Sequence, residues 1–256
     1  MSAILFSVEG HVARVHLNRP EALNAIDGAM DVALRDAWNA INADPEIRVV
    51  LLTGEGEKAF CVGGDIKDAT PRAERIALGG GITGIGGPLL SVTKPIVAAV
   101  QGYALGGGFE LAMCADIIVA ADTAQFGLPE TTIGMIGECG VVHRAIRQLP
   151  HHVALAMILA GERLSAAEAH RHGLVNEVVA LGALEDAAGR WCDRLLAASP
   201  LAVQAAKAAA LSGLDQPLAA ALASRFDAIE RYASSADHAE SRLAFREKRA
   251  PHWQGR

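Results

Sequence analysis

Hydrophobic and polar positions repeat with two different periods along this chain, and these periods predict its first elements. Residues 8–17 predict a β-hairpin, because apolar and polar side chains alternate after a turn at Glu9-Gly10. Residues 26–43 instead carry apolar side chains at helical spacing, and Asp27 is placed to cap that helix. The face of this helix that we expect to be buried consists of Met30, Leu34, Ala37, Trp38 and Ile41.

Short apolar runs further along the chain predict strands, with helical segments between them. The predicted strands cover residues 47–53, 96–100, 117–121 and 175–179. This alternation indicates an α/β fold with a mostly parallel sheet that is covered on its faces. After Ser199 the pattern predicts only helices, over residues 202–211, 217–232 and 237–248. We therefore expect an α/β core over residues 1–198 and a helical C-terminal region over residues 199–256, which is often a subunit contact.

Composition and charge limit the class of protein. Apolar residues make up 51% of the 256 positions, which is enough for a sizeable core. The formal net charge of −6 argues against nucleic acid as the main partner, because neutralising phosphates requires a basic face. None of the 4 cysteines forms a C-x-x-C pair, so we expect no zinc site, no disulfide framework and a cytoplasmic location. The N-terminus does not read as a signal peptide, and no apolar run predicts a membrane span.

A run of three glycines that leads into a glutamate is the most informative motif of the chain. Residues 106–110 read Gly-Gly-Gly-Phe-Glu and follow the predicted strand 96–100 and its turn, so a helix should begin near Gly107. An N–H group in the first turn of a helix has no intrahelical partner and can donate to a developing oxyanion. Taken alone, the motif fits equally well a tight packing turn in which the glycines only avoid clashes.

A second glycine turn and a second glutamate favour the chemical interpretation. Gly64, in the turn at residues 63–65, could supply another N–H donor, whereas Asp65 could simply cap a helix. Glu130 follows Glu110 by 20 positions, and each glutamate alone is explained by a solvated helix face or by a helix dipole. Two carboxylates that converge beside two such amides could divide acid and base work between them.

Two further motifs carry weaker signals. Residues 79–84 match G-x-G-x-x-G, but the preceding stretch reads as helix rather than strand, so a dinucleotide site is not supported. Cys139 and His143 stand at helical i, i+4 spacing, which would suit a nucleophile and its base, but a small buried thiol explains the cysteine better.

The order of these motifs resembles the crotonase family, also called the enoyl-CoA hydratase/isomerase superfamily. The matching segments include Ala-Phe-Cys-Val-Gly-Gly-Asp-Ile at 59–66, Lys-Pro-Ile-Val-Ala at 94–98 before the triple glycine, and Gly-Leu-Pro-Glu at 127–130. The resemblance implies a crotonase-like spiral of β-β-α units with a C-terminal α-helical region, assembled as a homotrimer or homohexamer. It implies an acyl-CoA thioester as ligand, with CoA as part of the substrate rather than a bound cofactor, and it implies no metal.

The resemblance also implies roles for individual residues. The thioester oxygen would accept hydrogen bonds from the N–H groups of Gly64 and Gly107. Glu110 would accept a proton from the water that attacks Cβ, and Glu130 would deliver a proton to Cα, which hydrates a trans-2-enoyl-CoA. In that role the pKa of Glu130 should lie above that of a free carboxyl group. The residues implied in substrate and CoA binding are Ala22, Asn24, Ala25, Lys58, Phe60, Gly63, Asp65, Ile66 and Gly106.

One segment departs from the family pattern. Residues 137–141 read Gly-Glu-Cys-Gly-Val where the family often has Pro-Gly-Ala-Gly-Gly, and Glu138 could project into the acyl pocket or face solvent. Some members that act on carnitinyl-CoA have an acid there, and a cationic acyl tail would be attracted to it. Besides enoyl-CoA hydration, the alternatives are therefore carnitinyl-CoA dehydration, isomerisation of an enoyl-CoA, and a non-catalytic acyl-CoA-binding or RNA-binding homologue.

Overall fold

A computed structural model describes residues 2–68, 91–137 and 140–256. The glycine motif at 79–84, together with Glu138 and Cys139, lies outside the described residues. In chain order the strands are β1 (Ile4–Glu9), β2 (Val12–Leu17), β3 (Val49–Gly54), β4 (Ala59–Cys61), β5 (Ile96–Val100), β6 (Tyr103–Leu105), β7 (Ile117–Ala121), β8 (Gln125–Gly127), β9 (Arg163–Ser165) and β10 (Glu177–Val179). The helices are α1 (Gly28–Ala43), α2 (Gly107–Met113), α3 (Val141–Gln148), α4 (His151–Ala160), α5 (Ala166–Arg171), α6 (Leu184–Leu196), α7 (Pro200–Gly213), α8 (Leu218–Ala223), α9 (Asp227–Ala233) and α10 (Ala236–Glu247).

The larger of two sheets has 6 strands in the order β1-β2-β3-β5-β7-β10. β1 and β2 pair antiparallel as the predicted hairpin, and the other neighbours in this sheet run parallel. The four apolar runs predicted as strands correspond to β3, β5, β7 and β10, with small shifts at their ends. The prediction of an α/β fold with a mostly parallel sheet is therefore confirmed.

Successive side chains of each buried strand point to opposite faces of this sheet, and both faces are covered by apolar residues. On β3, Val50 and Leu52 face a core that includes Trp38 of α1. Val49 and Leu51 face the opposite side and belong to a second cluster, which is completed by α6. The residues that α6 contributes are Leu184, Ala187, Ala188 and Cys192.

Helix α1 begins and is buried as its sequence predicts. The side chain of Asp27 accepts a hydrogen bond from the backbone N–H of Met30 at 2.8 Å, which caps the first turn. Burying one side chain of Leu or Met size contributes about 1.5–3 kcal/mol, so an apolar stripe is enough to hold the helix on the sheet. The buried residues are the predicted face, namely Met30, Leu34, Ala37, Trp38 and Ile41.

A second sheet of 4 strands, in the order β4-β6-β8-β9, is not apparent from the hydrophobic pattern. Each of its strands has 3 residues, which is too short for an alternating pattern to be recognised. β4, β6 and β8 run parallel, so their carboxyl ends meet at one edge. The chain leaves that edge towards Gly63, Gly106 and Glu130, and the small sheet thereby brings the predicted site residues together.

The C-terminal region is helical, and residues 199–256, all of them described, contain no strand. The prediction of a single helix over residues 217–232 is wrong, because α8 and α9 are separate helices. The Ser224 hydroxyl donates a hydrogen bond to the carbonyl of Ala220 at 2.8 Å, and its own backbone is extended, which ends α8. A division of the chain into two regions at residue 198 stays a prediction.

Among the described residues no single helix is both long and apolar enough to cross a membrane. Two consecutive segments, Leu181–Leu196 and Pro200–Gly213, reach that length and composition only together, and they are bent by 100° where they join. The first of them includes α6, whose apolar face is already buried against the large sheet.

Gly108 is a position where the packing of α2 on the small sheet leaves no room for a side chain. A Cβ atom there would overlap the carbonyl group of Cys61 on β4, which is backbone and cannot rotate away. We expect Gly108→Ala to lower the free energy of unfolding by about 1–3 kcal/mol, the usual cost of overpacking. Urea unfolding followed by circular dichroism would measure this change.

Gly189→Ala is the matched control for that experiment. Nothing lies within 4 Å of a Cβ atom at Gly189, which is inside helix α6. Alanine favours helix over glycine by up to about 1 kcal/mol, so this variant should be as stable as the wild type or more stable. A Gly108→Ala protein that behaved like Gly189→Ala would contradict the close approach of α2 to β4.

Candidate active site

Two glycine turns meet where β4 and β6 end. A Cβ atom on Gly63 would lie 2.9 Å from the backbone nitrogen of Gly107 and 3.0 Å from the carbonyl oxygen of Leu105. Gly63 has a φ of +92° and Gly106 a φ of +52°, conformations that residues with a side chain rarely adopt. Glycine is thus required at both turns, for its backbone conformation and for the contact between them.

The turns leave the N–H groups of Gly64 and Gly107 available as donors. Around Gly64 the bonds to the neighbouring chain are made by its two flanking residues: Ile26 N–H donates to Gly63, and Asp65 N–H donates to Ile26. Gly107 is the first residue of α2, so its N–H has no partner within the helix. In the described part of the chain no backbone carbonyl accepts a hydrogen bond from either amide. Their role as an oxyanion hole remains a prediction, and the geometry leaves them free for it.

Glu110 is buried in the first turn of α2 and is 2% exposed. Its Oε1 atom lies 3.5 Å from Nε of Arg144, which is on α3. Burial raises the pKa of Glu110 to about 8, because the charged form loses its hydration; Arg144 opposes this rise and the charge of Glu130 adds to it. Apart from the ion pair with Arg144, neither carboxylate oxygen of Glu110 has a hydrogen-bond partner among the described residues, although both are buried.

Glu130 lies on the other side of the same space. It begins the short 3-10 helix Glu130–Ile133 after β8, and its Oε1 atom would be 2.7 Å from a Cβ atom on Gly106. Partial burial raises its pKa, while a hydrogen bond from its own backbone lowers it. The charge of Glu130 also contributes to the raised pKa of Glu110, so the two carboxyl groups lie within electrostatic reach of each other. The structure therefore brings both predicted glutamates to the edge that also holds the two amides.

The loop at residues 19–25, which the family resemblance implies in CoA contact, is tied to the Gly64 turn. Asn24 is fully buried with a φ of +55°; its side chain accepts a hydrogen bond from Arg19 N–H and donates to the carbonyls of Glu55 and Ala59, each at 3.0 Å. The guanidinium of Arg19 donates to the carboxylate of Asp65 at 3.2 Å. It also donates to the carbonyl of Ala25, and it forms an ion pair with Asp27.

The other predicted binding residues occupy different environments. Lys58 is exposed just before β4, and Ile66 is 73% exposed after the glycine turn. Phe60 is fully buried on β4, so a contact with CoA could involve only its backbone. Asp65 accepts a hydrogen bond from the N–H of Lys67 at 3.0 Å, as a capping residue does. Ala22 lies in the short helical turn Pro20–Ala22.

The cysteines of the described residues do not suit nucleophilic chemistry. Burial raises the pKa of Cys61 and of Cys114 to about 12, so both are neutral thiols at physiological pH. His143, the base considered for Cys139, is exposed on α3, and Cys139 itself lies outside the described residues. Residues 2–68, 91–137 and 140–256 contain no group of three His, Cys, Asp or Glu side chains that could hold a metal ion.

Arg144 and Arg19 are the two site residues that the sequence interpretation missed. Arg144 falls at i+3 from Val141 and one residue before Ala145, and both of these apolar residues are buried. A charge on the buried face of a helix requires a partner, and this signal could have identified Arg144. The indication of a site role for Arg19 was weaker, because an arginine next to a proline in a loop is compatible with many structural roles.

Comparisons with known proteins agree with this architecture. A family model for enoyl-CoA hydratase/isomerase matches residues 7–256. The chain is 40% identical over 255 residues to (E)-benzylidenesuccinyl-CoA hydratase from Thauera aromatica, covering 98% of this chain and 99% of the relative. It is 37% identical over 258 residues to carnitinyl-CoA dehydratase from Proteus mirabilis, covering 98% and 97%. The solved structure of an enoyl-CoA hydratase from Mycobacterium marinum superposes with a TM-score of 0.91 at 34% identity and covers 100% of both chains.

A Novosphingobium aromaticivorans protein that is assigned as a short chain enoyl-CoA hydratase is more similar in sequence. Its solved structure has a TM-score of 0.92 and 62% identity, and the match covers 100% of this chain and 99% of that one. The chain therefore belongs to the enoyl-CoA hydratase/isomerase family and has its crotonase-like fold. The resemblance stated from the sequence motifs is confirmed.

Asn24 provides a test of the loop that joins the predicted CoA contacts to the glycine turn. Asn24→Ala would leave the carbonyls of Glu55 and Ala59 without their side-chain donor and would keep a strained backbone conformation. Unsatisfied buried polar groups cost about 1–3 kcal/mol each, so we expect a loss of about 2–5 kcal/mol in unfolding free energy. Asn18→Ala is the control, since Asn18 makes one exposed bond to the carbonyl of Ser2. Equal losses in the two variants, measured by urea unfolding, would refute the importance of this loop.

Proposed function

We propose that the protein is an enoyl-CoA hydratase, which adds water to the C=C bond of a trans-2-enoyl-CoA in a syn sense and catalyses the reverse dehydration. The observation that carries the proposal is the meeting of two partly or fully buried carboxyl groups, Glu110 and Glu130, beside the amides of Gly64 and Gly107. Family membership supports it, since the relatives include proteins named as hydratases.

In this proposal the backbone amides activate the substrate. The thioester oxygen accepts hydrogen bonds from Gly64 and Gly107, whose N–H groups are held by the two turns before any substrate arrives. When water adds at Cβ, the electrons of the double bond move towards the thioester and charge develops on its oxygen. Preorganised donors stabilise that charge, and the loss of one such donor typically costs ~10²–10³ in rate.

The two carboxyl groups handle the protons. Glu110, when ionised, accepts a proton from water as the water oxygen bonds to Cβ, and protonated Glu130 transfers its proton to Cα. One proton has then moved from Glu130 to the product and another from water to Glu110, so the next cycle begins after a proton returns to Glu130. The pKa values of both groups are raised by burial, which brings their proton exchange closer to neutral pH than that of a free carboxyl group.

The proposal extends to the molecular setting of the enzyme. CoA enters and leaves as part of the substrate, and we propose no bound cofactor and no metal. We also propose a homotrimer or homohexamer in the cytoplasm. Support for assembly comes from the C-terminal helices, where neighbouring leucines on α7, α8 and the link between them are more than half exposed, as at subunit contacts. These residues are Leu211, Leu214, Leu218 and Leu222.

Substitution of each glutamate by glutamine tests the division of acid and base work. Glu110→Gln and Glu130→Gln keep the size of the side chain but can neither accept nor deliver the proton. Because a positioned acid or base contributes about 10²–10⁴ in rate, kcat for crotonyl-CoA hydration should fall by that factor in each variant. Binding of a CoA thioester, measured by calorimetry, should change little.

Glu9→Gln is the control for charge, since Glu9 is exposed at the end of β1, the outer strand of the large sheet. Its hydration rate should match the wild type. Retention of full activity by either Glu110→Gln or Glu130→Gln would exclude that residue from the proton transfers.

The identity of the acyl group in the substrate is a separate question. Similarity to carnitinyl-CoA dehydratases makes crotonobetainyl-CoA a specific candidate. We expect hydration of crotonyl-CoA and other unsubstituted enoyl-CoA esters, with kcat/KM measured across chain lengths and for crotonobetainyl-CoA in parallel. A value for crotonobetainyl-CoA at least ten times higher than for crotonyl-CoA (about 1.4 kcal/mol of discrimination) would favour the carnitine ester instead. Conversion of a 3-enoyl-CoA without uptake of water would indicate an isomerase, and no turnover of any ester would indicate a binding protein.

A further inference from the structure

The positively charged side chain of Arg144 forms an ion pair with Glu110. It projects from α3, which packs against α2, and its Nε atom lies 3.5 Å from Oε1 of Glu110. Both side chains are shielded from solvent, with 21% of the arginine and 3% of the glutamate side chain exposed. An ion pair at this depth acts with less screening than one at the surface.

The charged and titratable groups around Glu110 act in opposite directions. Arg144 attracts the negative carboxylate, whereas Glu130, facing it from the turn after β8, repels it. Cys114 follows at the end of α2 and Cys61 lies on β4, and burial keeps both thiols neutral. Within the described residues, the positive charge that offsets burial of Glu110 therefore comes from Arg144.

The contact is made through charge rather than through a well-aligned hydrogen bond. At 3.5 Å the Nε and Oε1 atoms are within ion-pair distance, and no hydrogen bond from a described residue occupies either oxygen of Glu110. The carboxylate thus gains electrostatic stabilisation while its lone pairs stay available. A group that must accept a proton from water needs this combination.

We propose that Arg144 is a positioning residue that makes the ionised form of the buried Glu110 accessible, so that the form of the carboxyl pair with its proton on Glu130 is populated. In this proposal Arg144 supports the base role of Glu110 and the acid role of Glu130 through its charge. The meaning of Arg144 for catalysis rests on the proposed hydratase function, but its effect on the charge of Glu110 does not.

Removal of the cation should shift the titration of Glu110. A nearby opposite charge lowers a carboxyl pKa by about 1–3 units, so Arg144→Met should raise the pKa of Glu110 by a similar amount above its present value near 8. Burial already favours protonated Glu110 at neutral pH, and without the cation the productive form, with Glu110 ionised and Glu130 protonated, would become about 10- to 1000-fold rarer. At higher pH Glu110 ionises in both proteins, so their rates should converge.

The direct test is a carboxyl titration by NMR of protein labelled with ¹³C at the glutamate side-chain carboxyl carbon. The Glu110 signal is assigned by its loss in Glu110→Gln. Arg144→Met should move its midpoint upwards by at least 1 unit, whereas Arg144→Lys, which keeps the charge, should move it less. Arg147→Met removes an exposed arginine from the same helix and should leave the midpoint unchanged.

The kinetic test compares kcat/KM for crotonyl-CoA from pH 6 to pH 10. We expect a deficit in Arg144→Met that is largest near neutrality and disappears at alkaline pH. A deficit of equal size at every pH, or an unshifted NMR midpoint, would reduce Arg144 to a structural ion pair and overturn the inference. Should Arg144→Met fail to fold, Arg144→Gln removes the same charge and is judged by the same two results.

The two tests separate this inference from the proposed function. A shifted Glu110 midpoint in an enzyme that hydrates no enoyl-CoA would refute the hydratase proposal and leave the electrostatic role of Arg144 intact. An unshifted Glu110 midpoint in an active hydratase would refute the electrostatic role of Arg144 and leave the hydratase proposal intact.

Discussion

The close approach of helix α2 to strand β4 is the constraint on which the rest of the site depends. It is made possible by Gly108, whose missing side chain lets the first turn of α2 lie against the carbonyl of Cys61. The same contact places the Gly107 amide beside the Gly63 turn and carries Glu110, one turn further along, into the interior. The donors and the first carboxylate are therefore positioned by one packing contact.

Burial then determines the electrostatics of the site. A carboxylate removed from water becomes harder to ionise, and this effect is the largest cause of the raised pKa of both Glu110 and Glu130. Burial favours the protonated form of both groups, and the two differ in what opposes it. The asymmetry comes from position, because Arg144 lies against Glu110, while Glu130 lies against the backbone at Gly106.

The parts of this fold that could be predicted are those with a long repeating pattern. Helix α1 and the strands of the large sheet have enough apolar positions in phase to be recognised, and their buried residues agree with the pattern. The three-residue strands of the small sheet have no such pattern, and their pairing joins segments that are far apart in the sequence. Family resemblance supplied the site residues, but not Arg144, whose importance depends on which helix face meets α2.

The composition of the site also explains how relatives with different names share one fold. The proposed oxyanion donors are backbone amides, so they persist under any substitution that preserves the turns, and the two carboxyl groups follow from short segments at the same sheet edge. Proteins named for a benzylidenesuccinyl and for a carnitinyl ester are about equally similar to this chain, at 40% and 37% identity. If the proposed backbone site is common to them, selection of the acyl group must come from the side chains around it, because a shared fold does not by itself determine the substrate.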